Sequence, residues 1–517
     1  MLAVVMFSYL SVALFIACVG GQVSIMITDF LQGILMMLIF LFLMFFLLHT
    51  FRWSDIMAGL AIAPAGQSMI NPFKTSQVAD FNIWYFLIAI FGAILNTRAW
   101  QGSSGYNAAA KTPHEAVMAG IIGGWRTIAS GLCILLIPMV AYAVLHLPAF
   151  SSIAAPIQAE ISAISDPMIQ SQMTVPLFLV HTLPVGIMGL FAAIIIACAI
   201  SCDDTYLHAW GTIFIQDVYL PLRKQEKLDP KKHMLLLRLA IFGVAAFGFT
   251  FSLLFPLKDF ILMYFALTGA IYLGGAGAVI IGGLYWKRGT TAAAWTSLTT
   301  GTVLAFGGIL LQQMWPDHVA PALLHIWPDS QFLLAHQAKF PLNGQLIFFI
   351  AMITSLTGYI VVSLLGPKRV YNMDKLLHRG NYAIKQDVVT VKDEAVKLAA
   401  SRFSWHRIIG ISSNFTRFDR FVAWATFLKS MLFWFFFIIV TGICLLTNWI
   451  TDAVWGEIWW WQLVAFSVVL GSVCTTWLAI GGVRDAFRLF RDLRTGKIDE
   501  HDDGSVSEEE KSNWKAE

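Results

Sequence analysis

Pro184-Val-Gly-Ile-Met-Gly-Leu-Phe-Ala-Ala-Ile-Ile-Ile-Ala-Cys-Ala-Ile-Ser-Cys-Asp-Asp-Thr-Tyr-Leu-His208, closed by Phe214-Ile-Gln-Asp-Val-Tyr219, is the stretch that decides how this chain folds. From Val185 to Ile200 every residue is apolar or glycine. A bilayer core of about 30 Å asks for roughly 20 such residues in a helix. At about 1.5 Å per residue, Ser201 lies about 25 Å along that helix, still at membrane depth. There the sequence turns polar. Ser201, Asp204 and Thr205 are spaced i, i+3, i+4 and share one face. They offer hydroxyl and carboxylate oxygens, the hard ligands a cation requires, and carboxylates at such depth are functional candidates by default. Ser and Thr in helices also bond back to the i−4 carbonyl, and a carboxylate near a helix end can be solvated. The residues alone leave both readings open.

Working outward, comparable apolar runs recur along the whole chain. They predict about eleven transmembrane helices, near 2–19, 24–48, 81–98, 116–146, 183–205, 234–256, 258–285, 290–313, 343–366, 421–449 and 457–483. The composition agrees: 58% of the 517 residues are hydrophobic and 13% charged, about half the charge of a soluble domain. Barrel strands are excluded, because these runs are too long and backbone in lipid must satisfy its own hydrogen bonds. The fold class is therefore an all-α polytopic membrane protein, with the lipid bilayer as its surroundings.

The net charge of +3 is spread over several loops, which excludes nucleic acid as a partner. The six cysteines show no CxxC spacing, and no HExxH or Cys/His cluster appears. An enzyme is thus not expected, nor a bound metal or cofactor. Basic residues concentrate in alternate loops: Arg223 to Lys232, Lys287 and Arg288, the stretch 367–420, and Arg484 to Lys497. The positive-inside rule places those loops and the C-terminus in the cytoplasm, with the protein in the cell (inner or plasma) membrane. Trp449, Trp455, Trp459, Trp460 and Trp461 read as an interfacial aromatic belt. Residues 488–517 read as a cytoplasmic acidic tail, disordered over its acidic, Ser/Gly-containing part from Asp499 to Glu510.

Residues 184–219 resemble the signature helix of the sodium/solute symporter family, in which a Gly/Ala-rich helix reaches a Ser-[Ser/Thr]-x-Asp-Ser cluster and an aspartate-tyrosine ending. Here these read Ser201-Cys-Asp-Asp-Thr205 and Asp217-Val-Tyr219. Gly20-Gly21, then Thr28-Asp29 and Gln32-Gly33, is similar to the family's Gly-Gly hairpin and Thr-Asp-x-x-Gln-Gly helix start. Asn96-Thr-Arg98-Ala-Trp100-Gln101-Gly102, running to Lys111 and Glu115-Ala116, resembles its sixth core helix and the turn after it. The loop Gly283 to Gly289 resembles the end of the tenth.

The resemblance implies a partial inverted-repeat fold of the LeuT type. Residues 1–50 stand for the fourth and fifth core helices, 51–80 for an external loop and 81–286 for a complete second repeat. Two further helices (287–366), a cytoplasmic connector (367–420), two C-terminal helices (421–487) and the tail complete the chain. It also implies sodium as coupling ion and a small polar solute as substrate. By resemblance Cys198, Ser201 and Cys202 form the sodium site, where Cys202 departs from the pattern because a thiol is a soft, poor ligand for sodium. Asp29 with Asp204 and Thr205 forms a second cation site. The substrate path takes Asn96, Arg98, Trp100, Gln101 and Arg126, the last about 16 Å into its helix. The expected function is cation-coupled secondary active transport. The alternative is a transport-inactive sensor or structural membrane protein with a symporter-like fold.

The broken first helix of the first repeat has no counterpart before Met1, so an N-terminally truncated form is expected. Genomic DNA upstream of the Met1 codon should then encode further in-frame apolar segments. A stop codon with no such segments would remove the expectation.

Overall fold

The computed structural model describes residues 2–97, 99–110, 112–223, 229–255, 260–367, 372–377, 405, 409–411, 414–447 and 449–495. Most of the connector 367–420 and the tail beyond 495 lie outside the described residues; the connector's sequence carries an amphipathic patch at Phe403 to Ile411 that reads as a surface helix, and of it only 405 and 409–411 are described. So does Arg98.

In chain order the principal helices are α1 (Leu2–Thr50), α2 (Trp53–Leu60), α3 (Ile83–Leu95), α4 (Ser104–Ala108), α5 (Pro113–Arg126), α6 (Ile128–His146), α7 (Ser151–Ser162), α8 (Pro167–Thr182) and α9 (Val185–Ile213). They continue as α10 (Pro230–Leu254), α11 (Ile261–Tyr285), α12 (Thr291–Met314), α13 (Gly344–Leu365), α14 (Arg417–Leu446), α15 (Asp452–Trp459) and α16 (Phe466–Thr495). Among the described residues there is no strand, and nine helical runs are long and apolar enough to cross a bilayer. The protein is an all-α polytopic membrane protein.

The nine runs differ from the expected eleven for two reasons. Residues 2–19 and 24–48 fall in one continuous run, α1, broken at Gly21, where φ is 58° and ψ is −161°. The segment expected at 81–98 is helical only over Ile83–Leu95, 13 residues, or about 20 Å against a core of about 30 Å. Asn82 starts it by accepting from the Trp84 and Tyr85 amides. The run expected at 116–146 is also interrupted, at Thr127 (φ −85°, ψ 3°), so Arg126 ends α5 instead of lying midway along one long helix.

The break at Gly21 reverses the chain, as the neighbours of its two arms require. Along the second arm, Asp29 meets Ser201, Met36 meets Cys198 and Phe40 meets Phe191, so this arm runs antiparallel to α9. Along the first arm, Phe7 meets Phe249 and the Cys18 carbonyl accepts from Arg238, so that arm runs antiparallel to α10. Gly211 packs on Ile241, and Gln216 meets His233, so α9 and α10 are themselves antiparallel. The two arms therefore point in opposite directions. Ala13 and Ala17 of one arm and Ile25 of the other share a buried cluster with Leu207, Ile241 and Ala245.

The chain divides into two compact units. The first comprises residues 1–62, 101–254 and 453–517 and contains the arms of α1, α9 and α10. In it Trp455 is buried and stacks on Trp459, while Trp53 packs on Trp460. One of the five tryptophans of the expected aromatic belt, Trp455, is therefore interior packing.

The second unit comprises residues 63–100 and 255–452. Its centre is the crossing of α11 and α12, where Ser297 donates to the Gly275 carbonyl at 3.0 Å and a Cβ at Gly275 would clash with the Ser297 carbonyl oxygen. Asp80 accepts from Lys339 and Asn343, each at 3.2 Å.

A backbone at positive φ with ψ near 180° is essentially restricted to glycine and costs other residues about 1–3 kcal/mol. Gly21→Ala should therefore lower the melting temperature of the detergent-solubilised protein. Gly123→Ala, whose added methyl meets open space within 4 Å, serves as the comparison and should show no loss.

Candidate cation site

Eight residues beyond the reversal, about 12 Å along the second arm of α1, stands Asp29. Its carboxylate is the shared acceptor of three hydroxyls from two other elements. Ser201 of α9 donates to Oδ1, Thr205 of α9 donates to Oδ2 at 3.0 Å, and Tyr106 of α4 donates to Oδ2. Tyr106 and Thr205 are themselves 3.1 Å apart, oxygen to oxygen. Ser201 and Thr205 can reach one carboxylate because i and i+4 lie on the same side of a helix. Thr28, next to Asp29, takes no part: its hydroxyl returns to the Ser24 and Ile25 carbonyls, each at 3.0 Å.

Asp204 occupies the same face of α9, one residue before Thr205. It is fully buried (0% exposed), and neither carboxylate oxygen accepts a hydrogen bond from a described residue. The Gln32 carbonyl oxygen, one turn beyond Asp29, is buried and likewise without a donor. An acceptor enclosed with no donor is costly unless something positive satisfies it. Next to Gln32 a cation approaches: a Cβ at Gly33 would lie 3.6 Å from the Arg126 guanidinium.

The residues expected at two separate cation sites are thus redistributed. Ser201 and Thr205 join Asp29, and Asp204 is buried beside them. Cys198 points its thiol to the Met36 sulfur at 3.6 Å. Cys202 is exposed, and no described residue hydrogen-bonds to it. The oxygens gathered here are all carboxylate, hydroxyl or amide, the chemistry of a hard cation and not of a soft one.

Of the residues expected along a substrate path, the four that are described are divided between the two units. Asn96 belongs to the second unit, where its amide donates to the Met352 sulfur at 3.4 Å and its side chain packs on Gly277. Trp100 closes that unit's segment and is partly exposed. Gln101, which opens a short turn, and Arg126 belong to the first unit. Tyr106 is the residue that sequence reading missed. It stands between Gly102 and Lys111, in the stretch that resembles the family's sixth core helix, but nothing local marks a tyrosine as the partner of an aspartate 77 residues away.

Residues 1–301 match the sequence model of the sodium:solute symporter family. The chain belongs to that family. The match covers both arms of α1, α4, α9 and α10, and so every residue of the Asp29 cluster. No curated protein matches the chain. Members of the sodium:solute symporter family couple solute transport to sodium and are transporters, not enzymes. A membrane-embedded cluster of hard oxygens is consistent with that activity.

Hydrogen bonds to a charged group contribute about 1.5–3 kcal/mol each. Tyr106→Phe removes one of the three donors to Asp29 and should lower stability by about that amount in thermal melting of the purified protein. Asp29→Ala removes the acceptor shared by all three hydroxyls and should cost more. Equal melting for Tyr106→Phe and the parent would show that the phenol contributes nothing to the cluster.

Proposed function

We propose that this chain is a sodium-coupled symporter of a small polar solute, with Asp29, Ser201, Thr205 and Tyr106 as the first ligands of the coupling cation and Asp204 as its charge partner. The observation that carries this reading is the convergence of three hydroxyls on Asp29, beside a carboxylate that no described residue satisfies.

Each hydroxyl has lone pairs as well as a proton. Turning the Ser201, Thr205 and Tyr106 O–H groups away from Asp29 presents oxygen to a cation without moving the helices. A monovalent cation placed there neutralises part of the charge of two neighbouring carboxylates, which supplies the binding energy. The cluster joins α9 to α4 and the second arm of α1, so cation occupancy is coupled to the spacing of these elements. In this reading residues 1–50 serve as the fourth and fifth core helices and 81–286 as the second repeat, and solute translocation follows movement of one repeat against the other. The protein resides in the cell membrane with its C-terminus in the cytoplasm.

Solute uptake into proteoliposomes, screened over small polar solutes, should collapse when external sodium is replaced by choline. Ser201→Ala should raise the sodium concentration for half-maximal uptake by about tenfold, the loss of roughly one good ligand, while inserting normally. Unchanged sodium activation in Ser201→Ala would remove the assigned site. Solute binding without uptake would favour a sensor.

A further inference from the structure

A cavity of about 1120 Å³ lies in the first unit between the first arm of α1, α9 and α10. It is larger than the range of about 300–1,000 Å³ typical of small-molecule sites. Its walls combine aromatic rings with aliphatic floor: Tyr9 from α1, Tyr206 and Trp210 from α9, and Phe247 from α10. Asp203 is the single charged residue among the described residues that line it. Two residues from both Ser201 and Thr205, it lies on the other side of α9 and takes no part in the Asp29 cluster. It has no hydrogen-bond or ion-pair partner among the described residues.

We propose that this groove binds an amphiphilic organic monocation, with the ammonium group against Asp203 and its neighbouring rings and the alkyl body along the floor of α9 and α10. A carboxylate inside membrane-spanning helices demands a positive partner, and no Lys or Arg among the described lining residues supplies one. The next carboxylates along α9 and α1, Asp204 and Asp29, add to the negative potential at that end of the groove. Arg238 of α10 is engaged with the Cys18 carbonyl at 3.0 Å and is not part of the lining. Tyr and Trp rings attract a cation through their faces, and a quaternary or alkylated ammonium loses little hydration on reaching them. The same inventory argues against a zwitterionic lipid, whose phosphate finds no basic partner here. It also argues against an apolar helix of a second copy, which would leave Asp203 buried and unpaired. The groove is separate from the Asp29 cluster, so the proposal stands whether or not that cluster binds the coupling cation.

The test is equilibrium dialysis of radiolabelled dodecyltrimethylammonium against the full chain in nanodiscs of zwitterionic phosphatidylcholine. Saturable binding of one probe per chain is expected. Asp203→Asn should weaken it by at least about tenfold, the scale of one charge-assisted contact, and Asp203→Glu should restore it to within about threefold. Tyr206→Leu, at a partly exposed position, should weaken it by about threefold and serves if Asp203→Asn does not fold. Dodecyl sulfate should not compete. Affinity unchanged in both Asp203→Asn and Tyr206→Leu, equal competition by dodecyl sulfate, or partition that does not saturate would overturn the proposal. A photo-crosslinker at Phe214 that joins two chains would place a second copy in the groove and overturn it as well.

Discussion

Asp29 sits on a membrane-embedded arm, and a carboxylate there is tolerated only with compensation. It obtains that compensation from the hydroxyls of Tyr106, Ser201 and Thr205, which arrive from two separate stretches of chain. The rest of the first unit is arranged so that these groups can meet. The reversal at Gly21 lets the second arm of α1 lie antiparallel to α9, and the packing of Phe40 on Phe191 and Met36 on Cys198 fixes the register that sets Asp29 opposite Ser201. A register shift by one helical turn would carry Asp29 about 6 Å along the interface, beyond reach of at least one of its donors.

Three carboxylates within that unit have three different surroundings, although two of them are adjacent in sequence. Asp29 is fully engaged by hydroxyls. Asp204 is buried with no donor among the described residues. Asp203 looks into an aromatic-lined groove. The difference follows from the 100° turn between consecutive helical residues, which sends Asp203 and Asp204 to different neighbours. The burial of Asp204 beside Asp29 sets two carboxylates close together where dielectric screening is low. The hydroxyls around it adapt at little cost, because each rotates about a single bond.

Much of the architecture was legible along the chain. Apolar runs of bilayer length fix the helices, and the i, i+3, i+4 spacing of Ser201, Asp204 and Thr205 marks the polar face of α9 before any tertiary contact is known. Local chemistry also marks the starts of several helices: Asn82 caps α3, Thr112 caps α5, and Thr416 with Asp419 closes a capping box on α14. Less legible were the interruptions. Thr127 carries no local breaker signal, and the helix at Ile83–Leu95 is shorter than its apolar run. Trp455 was indistinguishable from its interfacial neighbours because tryptophan serves both roles, and only its packing decides between them.

The sequence by itself determined most of the apolar helices and the positions of the carboxylates along them, because hydropathy and the rise of a helix are local properties, and the hairpin at Gly20-Gly21 was legible through the resemblance to the symporter family. Which oxygens act together was decided only in three dimensions. Pairing Asp29 with Ser201, Thr205 and Tyr106 requires closing chain segments of 172, 176 and 77 residues, and separating Cys202 from that cluster depends on which face of α9 the second arm of α1 covers. Contacts of that kind are set by the packing of whole helices against one another, and no spacing within a single segment encodes them.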